Sequence, residues 1–217
     1  MTGVLATLDV FRHDNGERRR LDLVDGLTRE HLECVEREWK PLLEAARDRA
    51  TLAFATVPGK KRSEDVWQEK QRIYGAPDAH WDWAEKWRHM GSMHRMLVLA
   101  DGDIVEAIMW LDISKPSRLE TASYTPIVYI ENLAVGPWNR SPLQSPPRFK
   151  GLGKLMLGVA VAVSNSEGMN GRCGLHSLIQ SEGFYRRAGM QELGLSPAER
   201  MTYFEFSPDG AKKFLES

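Results

Sequence analysis

Arg148-Phe149-Lys150-Gly151-Leu152-Gly153-Lys154 is the stretch on which the fold turns. Upstream, Glu131-Asn132-Leu133-Ala134-Val135 closes a run over residues 126–135 that is rich in β-branched and aromatic residues and reads as a strand. Downstream, residues 151–167 form a strongly apolar segment of helical length, stopped by Gly168. A strand, a glycine-bearing loop and a helix start therefore follow one another. Glycine lets a backbone approach a ligand closely. The N–H groups at a helix start point outward together, and that end carries positive potential. The combination makes a phosphate cradle, to which Arg148, Lys150 and Lys154 add charge. A Gly-x-Gly pair by itself fits a helix entry that binds nothing equally well.

Working outward, turn signals and periodicity predict the remaining elements. Residues 5–24 read as a polar-tipped hairpin or a strand with a basic turn, the turn marked by Asn15-Gly16 and followed by Arg18-Arg19-Arg20. Thr28 caps a helix whose apolar face carries Leu32, Val35, Trp39, Leu42 and Leu43. Pro41 must kink or split that helix, because it lacks an N–H and crowds the preceding turn. Residues 63–74 form a second helix ended by Gly75, and residues 78–89, with Trp81, Trp83 and Trp87, a third. Residues 95–100 and 104–112 flank Asp101-Gly102 as a strand hairpin. After the loop come a strand at 173–177, a short helix at 180–188 stopped by Gly189, a strand at 200–206 and a helical turn at 212–215. The expectation is one α+β domain spanning residues 1–217, with residues 1–92 mostly helical on the acceptor side and 93–206 as the ligand-binding core.

Composition excludes several classes. The 217 residues are 42% hydrophobic and 27% charged, with a formal net charge of -1, so broad attraction to nucleic acid or an anionic membrane is not expected. Residues 1–11 lack a basic run followed by an apolar one, which predicts no leader peptide. The most apolar stretch, residues 155–163, is too short to cross a bilayer. Two distant cysteines, Cys34 and Cys173, argue against a disulfide framework and for a reducing cytoplasm. No metal site is expected.

Arg-x-x-Gly-x-Gly after Glu131-Asn132-Leu133-Ala134-Val135 resembles the acetyl-CoA motif of the GNAT superfamily. Downstream, Gly183-Phe184-Tyr185-Arg186-Arg187-Ala188-Gly189-Met190 is similar to that family's second motif, in the right order and at a fitting separation. The resemblance covers about residues 95–206. It implies a GNAT fold: a mixed, mostly antiparallel sheet flanked by helices, here with a helical N-terminal elaboration. It further implies an N-acyltransferase that uses acetyl-CoA as donor. Leu133, Ala134 and Val135 would bond the pantetheine arm and polarise the thioester carbonyl. Arg148, Phe149, Lys150, Gly151, Leu152, Gly153 and Lys154 would hold the pyrophosphate, and Arg186 and Arg187 would reach the phosphates.

Direct transfer to an amine needs a base, a polarised carbonyl and an acid for the leaving thiolate. The resemblance makes Glu131 the base, acting through water, or else a salt-bridged strand residue. It makes Tyr185 the acid, or else a packing tyrosine; a phenol with an ordinary pKa of about 10 stays protonated and can donate. His176 either faces the active site or is a hydrogen-bonded structural residue, and Cys173 reads as a small buried hydrophobe. Two features depart from the family pattern. Residues 141–147 are inserted, leaving Arg140 as a rival to Arg148 for the motif arginine. Leu178-Ile179-Gln180 also stands where many members carry an asparagine.

The expected acceptor is a small-molecule amine, with a protein or RNA amine, or a non-catalytic acyl-CoA-binding module, as alternatives. No membrane partner is expected, and a homodimer is possible. Trp81-Asp82-Trp83 and Trp87 fit either a cation-binding surface or tryptophans packing on a core. Arg18-Arg19-Arg20 fits either a partner contact or a solvated turn.

Overall fold

The computed structural model describes residues 3–217. Eight strands form one sheet, in the order β1-β2-β3-β4-β5-β6-β8-β7. They are β1 (Gly3–Phe11), β2 (Arg18–Asp25), β3 (His94–Asp101), β4 (Ile104–Pro116), β5 (Pro126–Val135), β6 (Cys173–Ser177), β7 (Gln191–Ser196) and β8 (Met201–Phe206). The helices are α1 (Arg29–Cys34), α2 (Lys40–Ala55), α3 (Glu64–Ile73), α4 (Trp83–Arg88), α5 (Leu152–Ser166), α6 (Glu182–Ala188) and α7 (Pro208–Leu215). The expected α+β class, with a mixed and mostly antiparallel sheet, is borne out.

The chain divides into two compact units, each assembled from separate segments. One comprises Met1–His89, Leu97–Ile108 and Ala134–Leu152. The other comprises Met90–Met96, Met109–Leu133 and Gly153–Ser217.

In the first unit the β1–β2 hairpin turns through Gly16 at φ 79°, a left-handed value that glycine adopts without strain. Thr28 caps α1 by accepting from the His31 N–H, while His31 Nδ1 accepts from the Thr28 N–H. Pro41 sits just after a π-helical turn at Val35–Trp39 that joins α1 to α2 with helical backbone throughout; its missing N–H deprives an upstream carbonyl of a helical donor, and the widened turn accommodates this. Trp39, fully buried, donates its indole N–H to the Val105 carbonyl on β4 at 3.0 Å. The third expected helix is shorter than its sequence suggests. Asp82 caps it by accepting from the Glu85 N–H at 2.7 Å, so α4 begins only at Trp83. Trp83 is buried, whereas Trp87 is 43% exposed and does not pack on the core.

In the second unit α5 buries Met156, Leu157, Ala160, Val161 and Val163, which recur at helical spacing. It ends before Gly168, whose φ is 72°. α6 closes on Gly189 at φ 85°, with the Gly189 N–H donating to Arg186 O. Sequence reading missed β7. Its residues are exposed over Gln191–Leu195, so no apolar alternation marks it, and pairing with β8 is what makes it a strand.

Candidate active site

β5 and β6 run parallel, pairing at Val128↔Cys173 and Tyr129↔Gly174. β5 itself runs on to Val135, whose carbonyl accepts from Arg140.

The loop that follows is organised by one buried carboxylate. Glu106 on β4, 0% exposed, accepts from Trp138 Nε1 at 2.5 Å, from Asn139 Nδ2 at 2.6 Å and from Arg148 at 2.8 Å. The Arg148 guanidinium also lies over the Trp138 ring, 4.8 Å from its centroid. Arg148 N–H donates to Trp138 O, and Phe149 N–H donates to Asn139 Oδ1. Phe149 itself is buried. Two expected phosphate contacts, Arg148 and Phe149, therefore have partners inside the loop, and sequence reading did not single out Glu106. Its signal was faint: one of two acidic residues, with Asp112, in a largely apolar strand.

Arg140, the rival arginine, is also committed. It makes a two-pronged pair with Asp78 at 2.5 and 2.7 Å and donates to the carbonyls of Gly75 and Val135. Of the inserted residues, Pro142 and Leu143 lie beside Gly75 of the same unit.

Lys150 and Gly151 are exposed. Gly151 has φ 81°, and a Cβ placed on it meets nothing within 4 Å. The glycine is required by its conformation, and the space beside it is open. As at any helix start, the first N–H groups lack intrahelical acceptors. Here they belong to the residues around Leu152, Gly153 and Lys154. Lys154 is exposed and donates to Ser217 Oγ at 3.2 Å. Leu133 and Val135 are half-buried, and Ala134 is buried.

In the second unit Glu131 lies half-buried on β5, 3.9 Å from Lys115 Nζ. That ammonium is also 3.2 Å from Asp112 and 6.0 Å from the centroid of the Tyr129 ring. Tyr185 on α6 is 8% exposed between Phe184 and Phe204. Burial pushes its phenol pKa up, so the proton is retained. Arg186 is held by Glu182 and Glu192 at 2.8 and 2.6 Å rather than standing free. Cys173 is fully buried, and burial raises its thiol pKa, as suits a small hydrophobe. His176 is hydrogen-bonded, its Nδ1 lying 2.5 Å from Tyr129 Oη. Among the described residues no group of three His, Cys, Asp or Glu side chains is placed to hold a metal ion, and no helix is long and apolar enough to cross a membrane.

No family model matches this chain, and no curated protein matches it. Solved structures do. An uncharacterized protein from Bacillus halodurans covers 99% of this chain and 96% of its own length, at 12% identity and a TM-score of 0.50. A putative acetyltransferase of the GNAT family from Desulfovibrio desulfuricans covers 87% and 99%, at 12% identity and a TM-score of 0.47. The PaiA N-acetyltransferase from Thermoplasma acidophilum, solved with coenzyme A, covers 84% and 97%, at 16% identity and a TM-score of 0.44. Of these only the Bacillus halodurans match, at a TM-score of 0.50, bears on the fold, and at 12% identity it bears on nothing beyond the fold.

Proposed function

We propose that this chain is an acetyl-CoA-dependent N-acetyltransferase that moves an acetyl group directly to the primary amine of a small metabolite. The observation that carries the reading is a strand, β5, running to Val135 and followed along the chain by a loop and a helix start with a left-handed, unobstructed Gly151. An extended pantetheine arm would pair with the main chain at Leu133, Ala134 and Val135, where the Val135 carbonyl already accepts from Arg140. The pyrophosphate suits the amides from Lys150 to Lys154 and the charges of Lys150 and Lys154. Arg148 and Phe149 act through the loop, holding its shape.

Glu131 is the proposed base, acting through water, and Tyr185 the proposed acid for the departing thiolate. Burial of Tyr185 supports this assignment, because a phenol that stays protonated has a proton to give. The amine class is supported by Lys115: the face carrying Glu131 and Tyr129 already accommodates one ammonium. Residues 1–92 would shape the acceptor side, and residues 93–206 would bind the donor.

A second reading, transfer to a protein or aminoacyl-tRNA amine, is favoured by one feature. Arg18, Arg19 and Arg20 are all exposed on β2, and none pairs with an acid among the described residues.

The test is acceptor-dependent release of coenzyme A from acetyl-CoA. The acceptors would be spermidine, glucosamine and phenylalanine amide, alongside lysine peptides and aminoacyl-tRNA. Turnover with a small amine supports the first reading, and turnover only with a macromolecule replaces it with the second. Binding of acetyl-CoA without any turnover would make the chain a non-catalytic acyl-CoA module.

A further inference from the structure

The face of the second unit that carries Glu131 holds a buried group the proposed reaction does not yet use. Tyr129 stands two residues before Glu131 on β5, hence on the same face and about 7 Å along the strand. Its hydroxyl lies 2.5 Å from His176 Nδ1 on β6. His176 pairs in register with Tyr203 on β8, and their rings meet edge-on at 4.9 Å. Gly174 makes room for this: a Cβ there would overlap the Tyr203 hydroxyl. The His176 side chain is 4% exposed, and its Nε2 has no hydrogen-bond partner. The nearest acid, Glu199 Oε2, stands 3.5 Å from it. An orphaned ring nitrogen at that depth calls for an explanation.

We infer that Tyr129 and His176 form a proton-accepting pair beside Glu131, with Tyr129 touching the acceptor amine, His176 acting through it and Glu199 as counter-ion. This rests on the function proposed above. Converting an ammonium to an amide removes two protons from nitrogen. Glu131 takes the first, through water, and passes it to solvent. The second leaves as the nitrogen–carbon bond forms: it moves to Tyr129 Oη while the phenol proton moves to His176 Nδ1. The carbon–sulfur bond breaks, and the thiolate takes the proton of Tyr185. The imidazolium then returns its proton, through water, to the Tyr185 phenolate. The balance is one ammonium and one thioester giving one amide, one thiol and one solvent proton.

The electrostatics fit these roles. His176 is faced by Tyr129 from β5, Tyr203 from β8, Glu199 from the β7–β8 turn and Arg118 from the β4–β5 connection, whose guanidinium covers the Tyr203 ring at 4.2 Å. Burial lowers the His176 pKa from 6.5, opposed by Glu199 and reinforced by Arg118, so the ring is neutral and ready to accept at neutral pH. Burial likewise raises the Tyr129 pKa, which keeps the phenol a relay rather than a standing phenolate.

The experiment compares wild type with Tyr129→Phe, His176→Gln, the double variant and Glu199→Gln, using acetyl-CoA and the best acceptor of the amine panel. Each of the first two should lower kcat about 100-fold, within the range of one general base, with the KM for acetyl-CoA unchanged. The double variant should be no slower than either single one. The acid limb of the wild-type pH profile should fall below pH 6.5 and move lower still in Glu199→Gln. Near wild-type kcat in His176→Gln, or an acid limb indifferent to Glu199, overturns the pair. A second readout needs no turnover: nitrogen NMR of the histidines in wild type and Tyr129→Phe. A neutral His176 protonated at Nε2, titrating below 6.5 and shifted when the hydroxyl is removed, supports the pair. A titration identical in the two proteins overturns it. If wild type acetylates no acceptor, the proposed function fails, and the NMR comparison alone judges the pair.

Discussion

Glu106 and Arg148 are 42 positions apart in sequence and 2.8 Å apart in the fold. The carboxylate is fully buried, and the arginine side chain is 25% exposed. Their pairing, with Trp138 and Asn139 bound to the same carboxylate, turns a proline-rich insertion into a fixed approach to Gly151. Removing one partner of a buried pair typically costs 3–5 kcal/mol. Arg148 can regain some water, which reduces that figure. Glu106→Ala should therefore lower the unfolding free energy by about 3 kcal/mol, and Arg148→Met, which leaves a fully buried carboxylate without its cation, by at least as much. Urea denaturation of the two variants measures this, and a wild-type midpoint in Arg148→Met would refute the pair's structural role.

Acetyl-CoA should stabilise the folded chain. At about 100 times its Kd a ligand specific for the native state adds roughly 2.7 kcal/mol. Gly151→Val should abolish that gain, because a β-branched residue is strained at φ 81°. Gly153→Ala should largely keep it, since the added methyl would only touch Phe184 at 3.8 Å. Thermal melts with and without acetyl-CoA decide the point. An undiminished shift in Gly151→Val would remove the loop from the site.

Tyr185→Phe should leave stability close to wild type, because among the described residues the hydroxyl makes no hydrogen bond. It should reduce kcat by about 10²-fold if the phenol protonates the thiolate. Since burial raises this pKa, the phenol is fully protonated below its ordinary value of 10.0, and Tyr185 should impose no alkaline limb below pH 10. A Phe variant as fast as wild type would cancel the role.

Stability should decline as the solution becomes acidic. His31, His80 and His176 all have pKa values lowered by burial from 6.5. A histidine with a depressed folded-state pKa favours folding above its unfolded value and loses that contribution as pH falls through the folded one. At His31 the reason is local as well, because protonating Nδ1 removes the acceptor for the Thr28 N–H in the α1 cap. Urea midpoints should therefore drop between pH 7.5 and 5, and less steeply in His31→Gln. A flat profile over that interval would contradict the buried, neutral state of these rings.

Much of the architecture was legible in the residues. Asn15-Gly16 and Asp101-Gly102 marked their hairpins, Thr28 its cap, and Pro41 the irregular turn between α1 and α2. β5 and β6 have the limits read for them, because β-branched and apolar runs there end at residues with other preferences. β7 was illegible, since an exposed edge strand carries no apolar period and takes its form from its neighbour. The site divides in the same way. Gly151 and the apolar α5 announced themselves through local chemistry, and Tyr185 only through the likeness of its segment to the second motif. Glu106 and Tyr129 did not, because each acquires its meaning from side chains tens of positions away.

The sequence by itself determined the elements, their caps and turns, and the motif pair on which the fold reading stands. These depend on backbone conformation and on contacts within a few residues. Only the tertiary structure decided that Arg148 and Arg140 turn inward to Glu106 and Asp78 and that His176 meets Tyr129. Burial and pairing set those outcomes: a carboxylate inside a strand must find donors, an arginine takes the bidentate partner it can reach, and strand register fixes which side chains share a face.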